Sequence, residues 1–385
     1  MKILQINASY KPAYIYGGPT MSVSKLSEEL VKAGCTVEVF TTTANGLTEL
    51  QVTTVLPQDI DGVKVRYFKR LTKDHSHFSP GLLAFLWKEV QSFDVVHVHA
   101  WWNLVSIFAC FIAILRRVPI VLSPRGTLSN YSFKNRHIAL KKVFHALIGR
   151  PLLSYCFLHT TSEREQAAMA TLLKPKGIYT LYNFVKMPKI AHFPTTTPLN
   201  PQENGIFRLL FFSRIEQKKG LELLFAALAD TTLPFRLTIA GSGDEKYIAV
   251  LKKLINDYKI DHRVDWVGFK DDDKFELMAA HHLLILPSYD ENFGNVVIES
   301  LAVGTAVLIS REVGLATYIT SRQFGWVCNA NVLSIKNSLT EIYNNPEKLN
   351  AIRTLAPPGI RDDFEETILI KKYDEMYKHI IATLD

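Results

Sequence analysis

Two glutamates eight positions apart, Glu291 and Glu299, bound the segment Ser288-Tyr289-Asp290-Glu291-Asn292-Phe293-Gly294-Asn295-Val296-Val297-Ile298-Glu299. A strand-like run ends at Pro287 and a helical pattern begins near Gly294. The first N–H groups of a helix carry a positive partial charge and suit an anion such as a diphosphate, or a sugar hydroxyl. Gly294 allows a ligand close to the backbone. Glu299 lies four residues after Asn295, on the same helix face. The two carboxylates can bracket one ligand by accepting hydrogen bonds from its hydroxyls. Taken singly, each reads equally well as an acid at a helix start or a solvated helical glutamate. The second constellation is Ser213-Arg214-Ile215-Glu216-Gln217-Lys218-Lys219-Gly220. Arg214 offers a planar fork for phosphate oxygens and Lys219 a mobile point charge. Alone, the segment reads also as a solvated basic loop.

A third group is His97-Val98-His99-Ala100-Trp101-Trp102-Asn103. Period-2 alternation places His97 and His99 on one strand face. A buried, hydrogen-bonded histidine is the plainer reading for one of them, and no third ligand stands near enough for a metal. Gly17-Gly18 and Gly241-Ser242-Gly243 resemble nucleotide loops without completing G-x-G-x-x-G. Basic residues Arg125, Lys134, Arg136, Lys141, Lys142 and Arg150 alternate with apolar Ile138, Leu140, Val143, Phe144, Leu147 and Ile148. That pattern fits a helix on an anionic membrane surface and, equally, a helix with a solvated basic face.

These groups need elements to place them. Strands are expected at Lys2 to Asn7, Thr36 to Thr42, Asp94 to His99, Ile120 to Ser123 and Phe157 to Thr161, with helices at Met21 to Ala33 and Leu104 to Leu115. Pro-rich residues 186–205 break the pattern as a linker. Strand and helix then alternate again: strands at Phe207 to Ser213, Phe235 to Ala240, Val264 to Val267, Leu283 to Pro287, Thr305 to Ser310 and Gly325 to Cys328, helices at Gly220 to Ala229, Glu245 to Tyr258 and Val296 to Ala302. The fold class is α/β, with two tandem Rossmann-like doubly wound domains. Residues 1–185 form the first, 206–363 the second, and helical residues 364–385 are expected to cross back to the first. Ligands of such sheets bind at the carboxyl ends of the strands, so the cleft between domains is the expected site.

Composition narrows the class. The chain has 385 residues, 48% hydrophobic and 21% charged, too apolar for a disordered chain. Residues 1–185 hold 21 Lys and Arg against 11 Asp and Glu, and the remainder 23 against 26, so an anionic partner is expected at the first half. Cys35, Cys110, Cys156 and Cys328 are scattered and indicate neither a zinc site nor a disulfide framework. With no signal peptide and no apolar run of about 20 residues, a cytoplasmic protein is expected, able to lie on the inner face of a membrane. No nucleic-acid recognition motif accompanies the basic excess.

Along nearly its whole length the chain resembles retaining glycosyltransferases of family 4, with the GT-B fold. The landmarks are Gly17-Gly18, Asp94-Val95-Val96-His97-Val98-His99, Ser123-Pro124-Arg125-Gly126, Thr161-Ser162-Glu163, Ser213-Arg214 with Lys219-Gly220, Ala240-Gly241-Ser242-Gly243, and Glu291 with Glu299. The resemblance implies a UDP- or GDP-linked sugar donor and a glycan or lipid-linked glycan acceptor in surface polysaccharide or glycoconjugate synthesis. It implies that Glu299 binds the ribose and Glu291 faces the transferred sugar. Arg214 and Lys219 would neutralise the diphosphate. The backbone of Phe293, Gly294 and Asn295 would contact sugar and phosphate, and Gly17 and Gly18 would approach the phosphates. His99, with His97 as the alternative, matches the active-site histidine; Arg125 and Trp101 are the expected acceptor contacts. Neither a cofactor nor a metal is expected. Two other readings are a nucleotide-sugar 2-epimerase of the same fold and a non-catalytic sugar-nucleotide-binding scaffold.

Overall fold

The computed structural model describes residues 1–129, 131–132, 138–188, 200–202, 205–270 and 273–383. Lys134 and Arg136 of the basic stretch, and most of the expected linker, lie outside the described residues. The chain divides into two units, Met1–Phe184 with Glu365–Asp385, and Val185–Phe364.

The first unit is built on strands β1 (Lys2–Ile6), β2 (Thr36–Thr42), β3 (Ala44–Asn45), β4 (Thr48–Glu49), β5 (Gln58–Ile60), β6 (Val63–Phe68), β7 (Val95–His99), β8 (Ile120–Ser123), β9 (Phe157–Thr160) and β10 (Gly177–Thr180). Eight of them form one sheet in the order β10-β9-β8-β7-β1-β2-β6-β5, while β3 and β4 make a separate small ribbon. Pairing is parallel except at the edge, where β5 runs antiparallel to β6. Strands covered on both faces read as continuous apolar runs; Val95, Val96 and Val98 of β7 have no exposed surface. The helix expected at Met21 begins earlier, at Gly18. Pro19 sits in its first turn, where a missing N–H costs nothing. Val23, Leu26 and Leu30 form its buried stripe. The C-terminal helix Glu366–Ala382 buries Leu369, Tyr373, Met376, Tyr377 and Ile380 within this same unit.

The second unit holds β11 (Phe207–Phe212), β12 (Phe235–Ala240), β13 (Val264–Gly268), β14 (Leu283–Leu286), β15 (Ala306–Ser310) and β16 (Gly325–Cys328). All pair in parallel, in the order β13-β12-β11-β14-β15-β16. In chain order this is 3-2-1-4-5-6, the doubly wound arrangement that opens a crevice where the order reverses. The reversal falls between β11 and β14 here, and between β1 and β7 in the first unit.

Candidate functional site

In the second unit the loops after β11 and β14 meet at the reversal. The chain leaves β11 through Ser213 and Arg214, makes a short turn at Gln217–Lys219, and starts the helix Leu221–Ala229 from Gly220. Gly220 is left-handed, at φ 69°, and a Cβ there would lie 2.4 Å from the Pro287 carbonyl oxygen. Only glycine lets the two loops approach so closely. Gly241, at φ 146°, does the same for the loop after β12: a Cβ would meet the Ser213 carbonyl oxygen at 1.9 Å.

This closeness brings Lys219 to Glu291. The Lys219 ammonium, 5% exposed, pairs with Glu291 Oε2. The backbone of Glu291 is pinned on both sides. Its N–H donates to the Glu312 carbonyl at 3.0 Å, and its carbonyl accepts from Gly314 N–H at 2.8 Å. Burial by itself would raise the Glu291 carboxyl, but Lys219, Lys218 and Arg214 outweigh it and hold the group below the ordinary carboxylate value. Burial draws the Lys219 ammonium below the usual lysine value, against the pull of Glu291. Arg214 is half-exposed and donates from Nη1 to Glu216 Oε1 at 2.5 Å. Arg214, Lys218 and Lys219 thus stand against Glu216 and Glu291, an excess of one positive charge. Gly294, left-handed at φ 92°, caps the helix Asn295–Ala302. The Phe293 ring is 2% exposed and packs edge-on to Phe364, so that residue can offer a ligand its backbone but not its ring.

Glu299 does not share Lys219 with Glu291. Its Oε1 accepts from Lys274 Nζ at 2.8 Å. Sequence reasoning missed Lys274, whose surroundings, Asp271-Asp272-Asp273-Lys274, read as a polar loop.

The first unit builds a different object at its reversal. From Arg125 a line of hydrogen bonds runs inward. Arg125 Nε donates to His99 Nδ1 at 3.2 Å, and His99 Nε2 bonds Gln5 Oε1 at 2.6 Å. Gln5 Nε2 donates to Tyr377 Oη at 3.3 Å, and Tyr377 Oη bonds His97 Nδ1 at 2.6 Å. His97 Nε2 bonds Ser123 Oγ at 2.6 Å, Ser123 Oγ bonds His159 Nδ1 at 2.6 Å, and His159 Nε2 bonds the Leu181 carbonyl at 3.0 Å. Arg125 and Gln5 each have a donor that cannot reverse. The hydrogen-bond network therefore assigns each imidazole one tautomer, Nδ1 accepting and Nε2–H donating. Burial, with cationic Arg125 nearby, pushes His97 and His99 well below the usual histidine value and His159 to about 3. All three rings are neutral.

Arg125 Nη1 also donates to Ser22 Oγ at 2.7 Å and Asn183 Oδ1 at 3.1 Å. Ser22 belongs to the helix Gly18–Lys32, whose N-cap, Gly17, is left-handed at φ 62°. The backbones of Ala100 and Arg125, neither a glycine, are also left-handed, at φ 63° and 50°. Such strain collects where surrounding structure holds a functional group in place.

Two expectations are corrected here. Trp101 has no exposed surface and lies in the core of the first unit, so its ring is unavailable for stacking on an acceptor. Neither His97 nor His99 has exposed surface, and both nitrogens of each are bonded, those of His99 to Arg125 and Gln5. Among the described residues no group of three or more His, Cys, Asp or Glu is placed to hold a metal ion, and no helix is long and apolar enough to cross a membrane.

Two doubly wound units, the second presenting the Lys219–Glu291 pair at its strand reversal, define the GT-B fold. The Glycosyltransferase Family 4 model matches residues 16–187 and the Glycosyl transferases group 1 model residues 199–357, and the chain belongs to that family. Among curated proteins it is 27% identical to an uncharacterized glycosyltransferase of Methanocaldococcus jannaschii, over 87% of each chain. It is 27% identical to the glycogen synthase of Mycobacterium tuberculosis, over 95% of this chain and 91% of that one. It is 23% identical to the N-acetyl-alpha-D-glucosaminyl L-malate synthase of Bacillus anthracis, over 76% of each. Among solved structures, sucrose-phosphate synthase from Thermosynechococcus elongatus shares the fold at TM-score 0.76 with 17% identity, covering 100% of both chains. Anabaena HepE, solved in complex with UDP-glucose, does so at TM-score 0.74 with 18% identity, covering 98% of this chain and 100% of that one.

Proposed function

We propose that the protein is a retaining, metal-independent hexosyl- or N-acetylhexosaminyl-transferase that moves a sugar from a UDP- or GDP-linked donor to a glycan or lipid-linked glycan. The observation that carries this reading is the Lys219–Glu291 pair at the reversal of the second sheet, with Arg214 beside it and the N-terminus of the helix bearing Glu299 directly after. As the bond between sugar and nucleotide breaks, negative charge grows on the departing diphosphate oxygens. Arg214 and Lys219 face that charge from a partly dry setting where fixed cations act most strongly. Glu291 orients Lys219 and accepts from the hydroxyls of the transferred sugar, and Glu299 accepts from the ribose hydroxyls. Front-face attack by the acceptor hydroxyl on the same side as the leaving group would retain the anomeric configuration. Arg125, held by His99, Ser22 and Asn183, supplies a fixed cation for the acceptor.

A lipid-linked acceptor at an anionic surface is supported by the sequence from 101 to 150, which carries eight Lys or Arg and no Asp or Glu. Val143, Leu147 and Ile148 are 55%, 72% and 49% exposed among those cations, as expected of a surface that meets anionic lipid. Incubating the enzyme with a panel of nucleotide sugars, with and without acceptor, tests the reading. A new glycoside should form only with acceptor present. An altered sugar without acceptor would contradict transfer.

A further inference from the structure

The pairing of Glu299 has a consequence for what the site selects. Lys274 and Glu299 keep side-chain exposures of only 9% and 12%. Lys274 opens the helix Lys274–Ala279, which packs beside the helix Asn295–Ala302 that carries Glu299. Its nitrogen also sits 4.9 Å from the centroid of the Phe275 ring. A buried ion pair adds little net stability over an apolar pair of similar volume, because removing both charges from water offsets their attraction. Packing alone would be served by an aliphatic side chain at position 274. An ammonium does what an aliphatic group cannot: it donates to the carboxylate in a nearly dry place and fixes its rotamer. A carboxylate offers about four lone-pair positions. With one on Oε1 taken by Lys274, the others can accept from two neighbouring hydroxyls.

We propose that Lys274 is a positioning residue for the nucleotide ribose: it orients Glu299 to accept from both the 2′- and 3′-hydroxyls and so makes the enzyme discriminate ribonucleotides from 2′-deoxyribonucleotides. The proposal rests on the reading that Glu299 meets the ribose. A site built around a ligand hydroxyl rejects the analogue lacking it, because its own polar groups are then left unpaired.

The test is calorimetric titration of the full-length protein with UDP, GDP, 2′-deoxy-UDP and 2′-deoxy-GDP, for wild type, Lys274→Met, Lys274→Arg and the double variant Lys274→Met/Glu299→Gln. Wild type should favour the ribonucleotide about tenfold or more. In Lys274→Met the ratio should fall to about twofold or less, and Lys274→Arg should restore most of it. The double variant leaves no lone buried charge and serves if Lys274→Met fails to fold; it too should lose the ratio. A folded Lys274→Met that keeps the full wild-type preference overturns the role of Lys274 alone, whereas a double variant that keeps it overturns the Glu299 reading as well. Equal wild-type affinity for ribo- and deoxyribonucleotides overturns the Glu299 reading beneath it, and the proposal with it.

Discussion

Both units place polar side chains where the strand order reverses, but they hold them in opposite ways. In the second unit the groups are charged and paired one to one, Lys219 with Glu291 and Lys274 with Glu299, with Arg214 half-exposed. In the first unit the groups behind Arg125 are neutral, and a single line of hydrogen bonds passes through three imidazoles and Tyr377. The same topology thus supports two electrostatic designs. Paired charges with one cation in excess can respond when a ligand brings negative charge. A neutral line fixes the direction of one guanidinium and keeps that direction over the ordinary pH range.

The largest effect should come from breaking the charged design. Lys219→Met is expected to lower kcat about 10²–10³-fold, the usual consequence of losing one group aimed at developing charge. Steady-state kinetics with saturating donor checks it, and a loss confined to KM would move Lys219 from the leaving group to ground-state binding. Next is Arg125→Met, expected to reduce kcat/KM for the acceptor about 10-fold or more while leaving nucleotide affinity unchanged. A matching loss of nucleotide affinity would erase the division of labour between the units. Tyr377→Phe should act on stability. It removes the hydroxyl shared by Gln5 and His97 inside the core. A cost of about 1–3 kcal/mol is expected from the polar groups left unsatisfied, read by urea unfolding.

The smallest effect is the response to mild acid, and its sign follows from the buried imidazoles. In the first unit burial depresses His97, His99 and His159, burial with Arg70 lowers His77 to about 4, and burial with Arg150 draws His145 down. In the second, burial depresses His281 and takes His282 to about 3. Unfolded histidines take up a proton near 6.5, the folded ones only at lower pH. The stability they contribute is therefore complete above about pH 6.5 and is lost as pH falls from there toward the folded values. With five such groups against two, the first unit should lose hydrogen-exchange protection faster between pH 7 and 5.5. Equal losses in the two units would contradict the contrast.

Much of the frame was legible in the residue pattern. The strands at Thr36–Thr42, Ile120–Ser123, Phe235–Ala240 and Gly325–Cys328 and the helix Leu104–Leu115 match the expected spans, because each is a short apolar run closed by a charge, turn or glycine. The strand Val63–Phe68 was not expected: its alternation of buried Val63, Val65 and Tyr67 with charged Lys64 and Arg66 marks a strand near the sheet edge rather than a central one. At the site, Arg214, Lys219 and Glu291 could be named from local motifs, and their meeting follows from glycine-tight loops. Lys274 and Tyr377 could not. Tyr377 reads as one apolar position in a helix, yet its hydroxyl bonds Gln5, 372 residues away. Contacts of that span leave no local spacing to find. The two histidines were legible as a pair on one face, while their complete burial depends on the C-terminal helix packed within the unit.

The proposed hold of the second unit on a nucleoside diphosphate runs through Lys219 and Arg214, next to Glu291 and Glu299. Its most direct measurement is calorimetric titration of wild type and an Arg214→Ala/Lys219→Met double variant with UDP and GDP. Wild type should bind one of the two selectively, and the folded double variant should bind that nucleotide about 100-fold more weakly. Equal affinity in the two proteins would contradict it.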